Sequence, residues 1–235
     1  EGDLNIDSDT LFVNAATDKV GINTLIPNKA LTVVGDISAT GSLSADGSAP
    51  NYFTGNVGIG TTSPNKKLTV SGDISGTNRA IIGFRNVATG GCSVVAGGTC
   101  NSAAASETLV GGGRCNTAEG VQSTIVGGYN NTVTNQGFFG AILGGSRSSA
   151  FNGHSTVVGS CSGEAHGDYS LVGAGRNNKA NGNESIVLGG CNNLNNANCS
   201  SILGGKNNIL NSADSFILGS NITANKVNTT FVNNL

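Results

Sequence analysis

The sequence predicts an all-β fold, with short β-rich shaft modules followed by a parallel β-roll, or β-solenoid, of about ten short coils. Three observations predict it. Two apolar residues followed by glycine recur ten times between Ile81 and Gly219. Before them a different motif occurs twice, residues 20–40 matching residues 57–77 at 15 of 21 positions. The composition, with 37 glycines among 235 residues, would weaken a helix interior at every repeat.

In chain order, residues 1–43 carry a strand candidate, Thr10-Leu11-Phe12-Val13-Asn14, and the first shaft module. Residues 44–54 read as a linker ending in an aromatic pair, Tyr52-Phe53. The second module fills residues 55–78. Each module shows a short strand, a Pro-Asn turn (Pro27-Asn28, Pro64-Asn65), a second strand (Leu31-Thr32-Val33, Leu68-Thr69-Val70) and a Gly-Asp turn. So small a module buries no core alone and needs partners.

Residues 79–235 form the solenoid. Its corner glycines are Gly83, Gly97, Gly111, Gly127, Gly144, Gly159, Gly173, Gly189, Gly204 and Gly219. Subtracting neighbours gives steps of 14, 14, 16, 17, 15, 14, 16, 15 and 15 along the chain. Units this short fit one turn of stacked strands and are too short for a helix pair. Phe231-Val232-Asn233 reads as a further, degenerate copy. Successive strand residues face opposite sides, so one apolar column should fill the coil and the other should face outward. An outward stripe of aliphatic side chains calls for a cover, and identical chains around a symmetry axis supply one. All three prolines, Pro27, Pro50 and Pro64, precede this region, where a missing N–H would interrupt bonding between coils.

Units such as Ser185-Ile186-Val187-Leu188-Gly189 and Ser200-Ser201-Ile202-Leu203-Gly204 resemble the head of trimeric autotransporter adhesins. That resemblance implies a β-roll within a three-chain bundle. Val57-Gly58-Ile59-Gly60-Thr61-Thr62-Ser63-Pro64, followed by Leu68-Thr69-Val70-Ser71-Gly72-Asp73-Ile74-Ser75, resembles a module of bacteriophage and other viral tail fibres. Both copies, within residues 16–78, carry it. It implies a fibre shaft, often ahead of a chaperone domain removed after trimerisation.

The net charge is −2 with no basic stripe, so nothing supplies the phosphate neutralisation that nucleic-acid binding needs. No apolar run approaches the ~20 residues of a membrane helix, so no membrane insertion is expected. Glu1 is followed by no signal-peptide pattern, and the expectation is a processed product or a piece of a longer chain. Of the six cysteines, Cys100 and Cys115 fall three and four places after their glycines on adjacent coils and could stack. Cys161 and Cys191 share a phase two coils apart, too far for a disulfide at ~4.8 Å per coil. Cys92 and Cys199 complete the set, which leaves both free thiols and one or more disulfides open. There is no C-x-x-C, neither histidine stands at a ligand spacing from a cysteine, and no metal or cofactor is expected.

Glu164, His166, Asp168 and Glu184 are the best candidates for polysaccharide cleavage by paired carboxylates. Counted from the glycines, Asp168, Glu184 and Asp214 share a phase with His154, Gln122 and Ser106, as in a solvated turn, and a cation between Asp168 and Glu184 is the one metal reading. No catalytic residue is assigned. The asparagine pairs Asn130-Asn131, Asn177-Asn178, Asn192-Asn193 and Asn207-Asn208 suit left-handed corners and stacked amides. Tyr129, Phe138, Phe139 and Phe151 lie outside the apolar columns and either contact a receptor or seal the groove between chains.

These readings converge on a non-enzymatic homotrimeric fibre segment for host attachment, located on a virion, whose partners are its own copies and a host-surface glycan or protein. Chains could also stack end to end through unpaired terminal coils. A bacterial surface adhesin or self-assembled extracellular filament is the alternative, and a polysaccharide-degrading tailspike the third.

Overall fold

The computed structural model of the chain describes residues 2, 4–7, 10–37, 53–59, 61–70 and 79–233. Most of the expected linker, the Gly-Asp turn of the second module and Asn234-Leu235 lie outside them. The chain divides into two compact units, residues 1–73 and 74–235.

In the first unit, β1 (Leu4–Ile6), β2 (Leu11–Asn14), β3 (Lys19–Ile22) and β4 (Leu31–Val33) form one sheet in sequence order. The first two pairings are antiparallel and the third is parallel. β5 (Val57–Ile59) and β6 (Leu68–Val70) pair in parallel with the register of β3 and β4, Val57 opposite Leu68 as Val20 stands opposite Leu31. The repeated module is therefore a pair of parallel strands joined by a loop through the proline. Its mid-strand glycine has a steric reason. A Cβ on Gly21 would run into the Thr24 carbonyl oxygen, and one on Gly58 into that of Thr61, because the loop folds back over the strand. Phe12 is buried, but Ile26, Leu31, Ile37, Ile59, Leu68 and Phe53 are exposed on the single chain.

The second unit is a parallel β-solenoid. One sheet stacks eleven strands, from Ala80–Ile81 through Val94–Val95, Leu109–Val110 and onward to Thr230–Val232. A second stacks ten, from Val87–Ala88 to Thr223–Ala224. A narrow third ladder runs through Gly145–Ser146, Ser160–Cys161 and Gly175–Arg176 and is continued by single bridges from Phe84 to Lys206. The degenerate last copy is a strand, with Phe231 opposite Ile217.

The core is two columns one residue wide. The first sheet contributes Val95, Val110, Ile125, Ile142, Val157, Val172, Val187, Ile202 and Ile217, all fully buried. The second contributes Ala88, Ala103, Ala118, Val133, Ala150, Ala165, Ala180, Leu210 and Ala224. Small residues facing branched ones let the two sheets approach closely. In this second column Asn195 replaces an apolar residue. Its amide donates to the carbonyls of Ile186 and Ser200 at 3.2 and 2.9 Å, and its Oδ1 accepts from Ala197 N–H and Ser200 Oγ at 3.2 and 2.8 Å. A fully bonded amide avoids the penalty of an orphaned buried polar group.

Strand register corrects the spacing read from the glycines. Val95 pairs with Val110, Val110 with Ile125, Val157 with Val172 and Val172 with Val187, the same sequence interval each time. The pairings of Ile125 with Ile142 and, in the second sheet, of Val133 with Ala150 are longer by two places. The alternating steps of 14 and 16 arise because Gly111 and Gly173 directly follow their interior residues, in the place that Ala96, Val126 and Val158 hold in neighbouring coils. The outward aliphatic column is thus not continuous. It runs through Ile82, Val126, Leu143, Val158, Leu188, Leu203, Leu218 and Val232, all exposed on the single chain, and is interrupted at Gly111 and Gly173.

The asparagine pairs divide their work by position. The first of each, Asn130, Asn177, Asn192 and Asn207, has φ of 53–56°, the left-handed corner that asparagine tolerates. The second turns inward. The Asn116 amide donates to the carbonyls of Gly112 and Gly128 at 3.0 Å each, and Asn101 Oδ1 accepts the Asn116 N–H at 3.0 Å. The same pattern recurs at Asn131, Asn193 and Asn208.

Candidate functional site

The longest coil, between Gly127 and Gly144, carries its two extra residues at one corner. From the interior residue of the second sheet to that of the first, Val133 to Ile142 is two places longer than Ala118 to Ile125. The insertion places Phe138 and Phe139 at the surface, both about half exposed. Phe139 has φ of 58°, and in the next two coils His154 and Tyr169 occupy the same corner at 58° and 57°. The same corner is left-handed at Glu107, Gln122, Glu184 and Cys199, so the repeat sets the backbone and the sequence decides which side chain it displays.

The three rings stack along the coil axis. Phe139 and His154 have centroids 4.9 Å apart at 18°, and His154 and Tyr169 4.5 Å apart at 10°. On the neighbouring outward side of the second sheet, Phe151 stacks on His166 at 3.9 Å and 10°. Both histidines of the chain are therefore held in ring stacks a few coils long. Ring faces meet each other and ring edges point outward, leaving the free faces at the ends of each stack.

Beside this corner, Glu164 Oε2 lies 2.9 Å from His166 Nε2 and 2.8 Å from Lys179 Nζ. Burial opposes ionisation of Glu164, but the hydrogen bonds and charges of His166 and Lys179 outweigh it and hold the carboxyl below its ordinary value. Asp168 Oδ1 accepts the Gly153 N–H at 3.1 Å, and Asn183 Oδ1 accepts the Asp168 N–H at 3.0 Å. Asp168 does not share a column with Glu184. Tyr169 does, because Gly173 stands one place early and shifted the count. The reading of a cation between Asp168 and Glu184, which rested on a shared phase, loses that basis, and Ser106 likewise yields its place to Glu107.

Of the four aromatics read as either receptor contacts or groove seals, the structure brings Phe138, Phe139 and Phe151 to adjoining columns of one corner. Tyr129 lies in the narrow third ladder, where the Arg114 guanidinium sits 5.9 Å from its ring centroid. His154, His166 and Tyr169 complete the patch and were not singled out as contacts. Counting by the strand interval from Phe139 or Phe151 finds all three; counting from glycine does not.

No disulfide links any of the six cysteines in this structure. The hydrogen bond with Ser146 lowers the Cys161 thiol pKa against the opposing cost of burial, and Ser162, Arg147 and Arg176 add to the lowering. Burial and then the Glu184 carboxylate raise that of Cys199. Among the described residues no three His, Cys, Asp or Glu side chains are grouped to hold a metal ion, and no helix is long and apolar enough to cross a membrane.

The architecture defines the chain as a β-solenoid repeat protein with a second, strand-rich unit. No family model matches it, and no curated protein matches it significantly.

Proposed function

We propose that this chain is a segment of a homotrimeric, non-enzymatic attachment fibre of a virion. Three copies bury the outward aliphatic column of the first sheet around a common axis and present the aromatic and imidazole corner to a host-surface glycan or protein. The observation that carries this reading is the contrast between the outward sides of the two sheets. The first sheet exposes Ile82, Val126, Leu143, Leu188, Leu203 and Leu218, with Leu109 and Phe216 beside them. The second presents Ser102, Thr117, Thr132, Ser149, Glu164 and Lys179 over its middle coils, with Val87, Leu194 and Ile209 in the same place only toward its ends. Aliphatic stripes of that length rarely face water on a monomer, and a closed symmetric assembly covers them without a second gene product.

The attachment role is tested by binding of the fluorescently labelled protein to intact candidate host cells and to a panel of immobilised glycans. Saturable binding that is lost in a Phe139→Ala/Tyr169→Ala variant, and retained in Tyr129→Ala, is expected. Steady release of reducing ends from a bound polysaccharide, abolished by Asp168→Asn or Glu184→Gln, would replace the fibre with a degrading spike.

A further inference from the structure

We propose that Cys100 and Cys115 form a redox site: under oxidation by a small disulfide they close an intrachain bond that staples two adjacent coils. The two residues hold the same corner position in successive coils. Both have φ of 56°, and the Cys100 N–H donates to Phe84 O and the Cys115 N–H to Thr99 O, each at 3.0 Å. Further along this column the structure shows how far side chains on adjacent coils reach. Asn177 Nδ2 donates to Asn192 Oδ1 at 3.1 Å, Asn192 to Asn207 at 3.3 Å, and Asn207 to Asn221 at 3.1 Å. Side chains at this corner therefore point the same way and touch across the coil spacing.

Cysteines in successive coils of such a column are brought together in the same manner. A coil spacing of ~4.8 Å falls inside the ~4.4–6.8 Å range of Cα separations that disulfides span. Cys100 is exposed and Cys115 half-buried, so a soluble oxidant reaches them. The other cysteines lack such a neighbour. Arg176 stands between Cys161 and Cys191 in the narrow ladder, its guanidinium 3.7 Å from the Cys191 sulfur, while Cys92 and Cys199 are separated in their column by Glu107, Gln122, Phe139, His154, Tyr169 and Glu184. The covalent link would serve the early coils as the amide ladder serves the later ones.

With glutathione disulfide as oxidant the balance is complete. The Cys100 thiolate attacks one glutathione sulfur and releases a glutathione thiolate. The Cys115 thiolate then attacks the Cys100 sulfur of the mixed disulfide and releases the second glutathione. The two protein thiol protons end on the two glutathiones, which are reduced as the cysteine pair is oxidised.

The test treats the folded full chain with glutathione disulfide, blocks residual thiols with iodoacetamide and maps tryptic peptides without reduction. Cleavage after Arg114 separates the two residues, so the bond reads as peptide 86–114 joined to peptide 115–147. The expected result is this joined species within a single chain on a denaturing gel, present in Cys92→Ser and absent in Cys100→Ser. Recovery of Cys100 and Cys115 on separate peptides, alkylated or each carrying glutathione, overturns the proposal, as does a joined species found only between chains. Circular dichroism matching the wild type shows that each variant remains folded, and tandem fragmentation of the wild-type joined species, whose 86–114 peptide also holds Cys92, assigns the bond to Cys100 without any variant.

Discussion

Asn116 closes three backbone groups with one side chain, donating to Gly112 O and Gly128 O and accepting the Asn131 N–H. Alanine there strips that buried N–H of its acceptor and two carbonyls of a donor. Asn116→Ala should cost roughly 2–4 kcal/mol, read as a shift in the urea midpoint. Asn196→Ala, removing an exposed amide that bridges Asn181 and Asn211 outside the left-handed corners, should stay within about 0.5 kcal/mol. Glu164 makes a pH prediction. Its pKa is lowered in the folded chain, so its ion pair stabilises above the unfolded carboxylate value and the benefit is lost as pH falls through the folded value. Glu164→Gln should flatten that acid-side loss, by less than about 1 kcal/mol because the group is partly exposed, in melts recorded across the acid range. Much of this scale was legible. The asparagine pairs announced both corner and ladder. The columns were misaligned only where glycine was taken as the ruler: Gly173 put Asp168 in the place that Tyr169 holds, and so hid the aromatic stack.

At the scale of the strand, neighbouring residues have opposite fates. Ile202 is fully buried and Leu203 beside it is 45% exposed; Val187 and Leu188 repeat the contrast at 0% and 47%. Ile202→Ala should therefore destabilise the coil itself by about 2–5 kcal/mol, lowering the melting temperature similarly at every protein concentration. Leu188→Asp places a charge on the open side, where a single chain tolerates it and a covered stripe does not. Its effect should appear as loss of the rise in melting temperature with concentration that an oligomer shows. Alternation of faces made the first sheet legible from its aliphatic pairs. The second sheet carried no such signal, because its strands are short and pair a polar residue with alanine, as in Ser102-Ala103 and Thr117-Ala118. Backbone register between coils, which no side-chain pattern announces, creates it.

Over the whole molecule, the solenoid is a stack in which each coil is bonded only to its neighbours, with a dry seam of two columns inside and an aliphatic side left open. Rods of this kind derive stiffness from the backbone ladder and specificity from what decorates the corners. Fold class could be read from the sequence because the repeat is long; the number of chains could not, since one chain satisfies its own core and shows only that a face is uncovered. In the fibre, copies of the chain would cover that face, which sedimentation equilibrium of the reduced protein at micromolar concentration can establish. Three chain masses are expected for the wild type and one for Leu188→Asp, and a wild type that sediments as a single chain would rule the trimer out.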